Sequence, residues 1–148
     1  INGVSEKYGK NYKATQVKAG KNSFSANIAT AYPEEAQVKR WIRSYIVAGR
    51  QATINDSFEL KKSITPNVVN FMTWGELDHS KKGEVAIRIK DVNAVLQYDA
   101  NKFELTIEPV ELADPRLSNV WGKNIYRLSF KARQQTIKGN YSFMIKKI

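Results

Sequence analysis

The chain has 148 residues, 24 lysines and arginines against 14 acidic residues for a net charge of +10, and no cysteine. That length allows one domain with its own core, and the missing cysteine excludes disulfide frameworks, thiolate metal centres and cysteine nucleophiles. No apolar run approaches the roughly 20 residues that cross a bilayer, and the pI near 9.8 suits either a polyanionic partner or a solvated basic surface.

Turn and strand signals alternate along the whole sequence. Ala19-Gly20-Lys21-Asn22 reads as a turn, followed by a strand with Phe24, Ala26 and Ile28 on its apolar face. Pro33 to Lys39 has the Pro and Glu residues that suit the first turn of a short helix. From Val38 to Val47 two bulky faces alternate, one with Arg40, Ile42, Ser44 and Ile46 and the other with Lys39, Trp41, Arg43 and Tyr45. Ala48-Gly49-Arg50-Gln51 then turns the chain into a second apolar row of Ala52, Ile54, Phe58 and Leu60. This hairpin is the longest regular signal in the sequence.

Four further strands are expected beyond it. Val85, Ile87 and Ile89 follow the turn at Lys81-Lys82-Gly83, and Phe103, Leu105 and Ile107 follow Asp99-Ala100-Asn101. Leu112 to Asn119 reads as an irregular connection. Tyr126, Leu128 and Phe130 form the next apolar face, Lys138-Gly139-Asn140 reads as a turn, and Tyr141, Phe143 and Ile145 close the chain. No repeat, low-complexity stretch or internal boundary interrupts this rhythm. The expected fold is an all-β antiparallel sandwich of many short strands, a single domain over residues 1–148.

The residues that carry chemistry are sparse. His79 is the only histidine, in a polar loop with Glu76 and Asp78, and a zinc site wants several His or Cys ligands. The carboxylate pairs Glu34/Glu35 and Glu76/Asp78 lack the fixed separation that a glycosidase needs. Asp56 stands in mid-strand, where a carboxylate needs a donor, and Arg40 or Arg43 across the hairpin can supply it. The glycines are scattered singly, so no phosphate-cradling loop is present. Among the aromatic residues Trp41 suits the core, whereas Trp74 and Trp121 border glycines in loop-like segments and are candidates to line a groove. Asn55-Asp56-Ser57 and Asn140-Tyr141-Ser142 match the glycosylation acceptor pattern.

The wording of several segments adds a resemblance. The Tyr32-Pro33 step, the strand with Trp41 and Arg43, the Gly49-Arg50 turn and Ile54-Asn55-Asp56-Ser57-Phe58-Glu59-Leu60 together resemble the C-terminal β-sheet domain of heparinase II/III-like polysaccharide lyases. Ile1-Asn2-Gly3-Val4, with Tyr8-Gly9-Lys10 and Ala14, is similar to the segment preceding this hairpin in that family. Asp114-Pro115-Arg116-Leu117-Ser118-Asn119-Val120-Trp121-Gly122 resembles a phrase near the end of some bacterial members.

The resemblance implies a β domain that closes one side of a cleft whose catalytic residues come mostly from an upstream α/α toroid. It also implies β-elimination of a uronic-acid-containing acidic polysaccharide, and a periplasmic or extracellular bacterial protein. The family's β-domain histidines usually precede the phrase seen here as Asn2-Gly3. One zinc ligand of some members falls near Phe71-Met72-Thr73, which holds no histidine. No catalytic residue, metal ligand or cofactor is therefore carried over, and the chain, which opens on Ile1 rather than methionine, is expected to be an inactive portion of a larger lyase. Trp74, Trp121 and Arg116 remain as substrate-binding candidates. The expected partners are a glycosaminoglycan or polyuronate and the toroid of the same protein, with no specific nucleic acid and no membrane. A stand-alone carbohydrate-binding module or a purely structural β domain is the alternative.

Overall fold

The computed structural model describes residues 1–148. Eleven strands form two antiparallel sheets. They are β1 (Thr15–Gly20), β2 (Ser23–Asn27), β3 (Val38–Ala48), β4 (Gln51–Leu60), β5 (Val68–Thr73), β6 (Glu76–Asp78), β7 (Glu84–Ile89), β8 (Val92–Tyr98), β9 (Phe103–Glu111), β10 (Asn124–Ala132) and β11 (Lys138–Lys147). The larger sheet has the order β1-β2-β3-β4-β11-β8-β7-β6, and the smaller one the order β5-β10-β9. The all-β sandwich expected from the alternation is the observed class.

The β3–β4 hairpin closes through Gly49 and Arg50, with Ala48 opposite Gln51. Trp41 then faces Phe58, Arg43 faces Asp56 and Tyr45 faces Ile54, and this row points toward the smaller sheet. Tyr141 lies beside Asp56 and Phe143 beside Ile54 on β11, so the inward row continues across the middle of the large sheet. The smaller sheet covers it with Val69, Leu128, Phe130 and Phe103, all 3% exposed or less. The layers meet through aromatic rings: Phe143 lies 5.1 Å from both Phe71 and Phe130 and 5.0 Å from Phe103. Trp41 stacks on Phe58 at 4.6 Å with an interplanar angle of 17°, which puts it in the core as expected.

Three sequence readings change. The Pro33–Lys39 helix shrinks to one 3-10 turn at Glu34–Ala36, because β3 starts at Val38 and recruits the rest. The irregular connection contains a helix, α1 (Pro115–Trp121), capped by Asp114, whose carboxylate accepts from the Arg116 N–H at 2.9 Å, and started by Pro115. The turn at Lys138-Gly139-Asn140 is instead the beginning of β11, paired with Glu59, Phe58 and Ser57. Gly139 is there for space rather than for bending. A β-carbon on it would stand 2.8 Å from Cζ of Phe58, a ring held in place by Trp41. Gly139→Ala is therefore expected to cost about 1–3 kcal/mol through overpacking; chemical denaturation checks it, and a neutral result would mean that Phe58 can swing away.

Asn2 ties the N-terminal segment to this frame. It is 5% exposed and its side-chain amide donates to the Ala36 and Lys62 carbonyls at 2.9 and 2.8 Å, while its Oδ1 accepts from the Ile64 N–H at 2.8 Å. Its backbone N–H donates to Asn67, and Asn67 donates in turn to the Tyr141 hydroxyl. Asn2 thus acts as a buried bracket between the N-terminus, the β2–β3 connection and the β4–β5 connection. Asn suits the position because its backbone is left-handed, with φ at 52°.

Candidate functional site

The eight-stranded sheet is wider than the three strands that cover it. On the β2–β3 side its inward face runs out from under the smaller sheet, leaving Phe24 and Tyr45 in contact but 42% and 39% exposed. Between this open wing and the outward side of the smaller sheet, a concavity of about 830 Å³ forms, with Tyr32, Arg43, Tyr45, Asn70, Arg127 and Lys131 on its walls.

Two arginines in this groove are held by carboxylates. Arg43 donates through Nε and Nη2 to the two oxygens of Asp56, at 2.8 and 2.7 Å, and Asp56 has no exposed side-chain surface. Burial works against the guanidinium charge, but the hydrogen bonds and the charge of Asp56 outweigh it and hold the Arg43 pKa above the usual arginine value. Side-on pairing of this kind leaves Nη1 free to meet an incoming acceptor. Arg127 is paired with Glu108 across β9 and β10 at 2.5 Å, and Lys131 has no ion pair. Burial raises the pKa of Tyr32, the charges of Glu6 and Asp56 add to it, and the Arg43 guanidinium opposes them. With Glu6 and Glu108 also on its walls the groove is polar and balanced in charge rather than strongly basic.

The residues singled out in the sequence lie elsewhere. Thr73 pairs with Tyr126, so Trp74 sits at the end of the smaller sheet from which α1 leads into β10. Trp121 and Arg116 are both on α1, so all three candidates gather at that one end, and none of them lines the groove. Gly75 fixes the backbone beside Trp74: with φ at 96°, it passes so close to β7 that a β-carbon would stand 2.3 Å from the Arg88 carbonyl oxygen. Trp74 is half-buried and Trp121 is 41% exposed. Arg116 is solvent-exposed, with its guanidinium folded back on the Asp114 carboxylate. Its guanidinium, followed by its N–H, holds the Asp114 carboxyl below the usual carboxylate range.

His79 is exposed beyond β6, Glu76 is paired with Arg88 across to β7, and Asp78 accepts from the Ser80 N–H. No group of three or more His, Asp or Glu side chains is placed to hold a metal ion. No helix is long and apolar enough to cross a membrane. The groove residues Tyr32, Tyr45, Arg127 and Lys131 are not among the candidates read from the sequence. Tyr45, Arg127 and Lys131 sit in correctly read strands and Tyr32 in the connection before β3, but the site is made by the overhang of one sheet beyond the other, and local alternation carries no sign of that.

No family model matches the chain, and no curated protein matches it in sequence. Solved structures do match. The heparan sulfate lyase HepC from Pedobacter heparinus superposes with a TM-score of 0.59 at 16% identity, over 91% of this chain and 21% of that one. A mutant form of the same lyase gives 0.61 at 15% identity over the same shares. The fold is one found within a heparan sulfate lyase. This agrees with the heparinase-like resemblance carried by the hairpin and its flanking phrases, and the chain spans about a fifth of the lyase's length.

Proposed function

We propose that this chain is the β-sandwich portion of a bacterial heparinase-type polysaccharide lyase, C-terminal to an α/α toroid, acting in the periplasm or outside the cell. In this reading it performs no chemistry alone. The toroid supplies the groups that remove the C5 proton of a uronic acid and expel the C4 oxygen, and the sandwich walls one side of the cleft and helps to hold an acidic polysaccharide. The observation that carries the reading is the fold shared over 91% of the chain with a heparan sulfate lyase. The +10 charge supports a polyanionic substrate. Trp74, Trp121 and Arg116 stay candidates for contact with substrate or toroid, since they occupy one end of the smaller sheet.

The test is to mix the chain with heparin, heparan sulfate, alginate and DNA at two salt concentrations while following ultraviolet absorbance for unsaturated sugar ends. Binding of one or more of the polysaccharides without growth of absorbance is expected. Growth above blank would overturn the inactive role, and no binding to any polysaccharide would leave only a structural role.

A further inference from the structure

We propose that the outer face of the large sheet, across β1 to β4 and β11, is a docking surface for a sulfated or carboxylated polysaccharide. The inference rests on the reading above that the chain handles an acidic polysaccharide, and it places the contact on the side opposite the smaller sheet.

Three observations carry it. The first is chemical texture. Ser25, Ser44, Asn55 and Ser142 lie in one cross-strand row on this face, and Ile42, Ser57 and Asn140 form the next. Between them runs a trough of about 360 Å³ lined by the polar side chains of these rows and by Lys102; Asp56 and Tyr141 also border it, with their side chains in the inward row. Ser142 donates to Asn55 Oδ1 at 2.8 Å, and no protein acceptor takes the amide N–H groups of Asn55 or Asn140. The trough therefore offers donors to a ligand rich in acceptors.

The second is charge. Lys18, Arg40, Lys138 and Lys146 stand on the same face and Lys102 on the rim of the trough. The only carboxylate on these five strands' outer face is Glu59, and it is already paired with Lys39 at 2.7 Å and Lys138 at 3.5 Å. The other carboxylates of this face, Glu76, Asp78 and Glu84, are on the far β6–β7 wing, where Arg88 pairs with Glu76 and Lys81 with Glu84. Lys138 and Lys146 are eight residues apart on β11, so the basic field is about 27 Å long at a rise of about 3.4 Å per residue. This surface has the excess of positive charge that the groove lacks.

The third is what the face omits. No Trp, Tyr or Phe points outward from these five strands, whose apolar members here are Ile42, Ile46 and Met144. Single-stranded nucleic acid is gripped by stacking on aromatic rings. Neutral sugars likewise present apolar faces to such rings, whereas a glycan covered with sulfate or carboxylate groups is met by cations and hydrogen-bond donors.

The experiment compares two triple variants of equal charge by titration with heparan sulfate at two salt concentrations, with thermal melts confirming the fold. Lys102→Gln, Lys138→Gln and Lys146→Gln together are expected to weaken binding at least about tenfold and to flatten its salt dependence as counterion contacts are lost. Lys82→Gln, Lys90→Gln and Lys123→Gln, away from these five strands, are expected to stay within about threefold, because only net charge changes. Ser142→Glu, a carboxylate placed in the trough, is expected to weaken binding with an unchanged melting temperature. Equal loss in both triple variants would reduce the effect to net charge and overturn the proposal, as would full binding by the first variant or equal affinity for single-stranded DNA. Absence of binding by the unaltered chain would instead sink the functional reading on which the proposal rests.

Discussion

Phe143→Ala is expected to lower stability by about 3–5 kcal/mol, the range for a large aromatic removed from a packed core. The side chain is 1% exposed and touches Phe71, Phe103 and Phe130, one from each strand of the smaller sheet. It is the point at which the whole second layer rests on the first. At about 2–4 °C per kcal/mol for a chain of this size, the melting temperature should fall by about 10 °C. Phe24→Ala makes the contrast. Phe24 lies on the same cross-strand row, reached through Tyr45 and Ile54, but beyond the edge of the smaller sheet and 42% exposed. Its removal is expected to cost about 1 kcal/mol or less. Chemical denaturation of both variants decides the matter, and similar losses would mean that the two layers are not arranged as described.

The same row marks the limit of what the sequence discloses. Phe24, Tyr45, Ile54 and Phe143 all alternate cleanly, so their strands and shared face are legible from period alone. Their burial is not, because it depends on how far a three-stranded sheet reaches across an eight-stranded one. The Lys138–Asn140 reading failed for a related reason. Gly and Asn between polar neighbours look like a turn, and only the position of the Phe58 ring reveals why Gly139 belongs inside a strand. The outer face of the large sheet was equally hidden. Ser44, Asn55 and Ser142 are ordinary solvent-side strand residues one by one, and their meeting in one row is a property of register between β3, β4 and β11.

Arg43 and Asp56 illustrate how a pair can be legible while its weight is not. The sequence offers Arg40 and Arg43 as partners for Asp56, and the register selects Arg43 by placing it directly opposite, while Arg40 faces Glu59. Arg43→Met strands a carboxylate that has no exposed surface, on the inward face beside Tyr141. The expected loss is about 3 kcal/mol, the low end for a broken buried pair because a quarter of the Arg43 side chain remains exposed. Adding Asp56→Leu should recover most of that loss, since an apolar pair needs no compensation, and a double-mutant cycle should report a coupling of about 2 kcal/mol. Additive losses would show the two groups to be independent. The double variant also separates the two surfaces: it removes a fixed cation from the groove at the open wing and leaves the outer face of the large sheet untouched. If that outer face carries polysaccharide binding, heparan sulfate affinity stays within about twofold of the unaltered chain, as expected for sites that do not share partners. A tenfold loss would move the binding site into the groove.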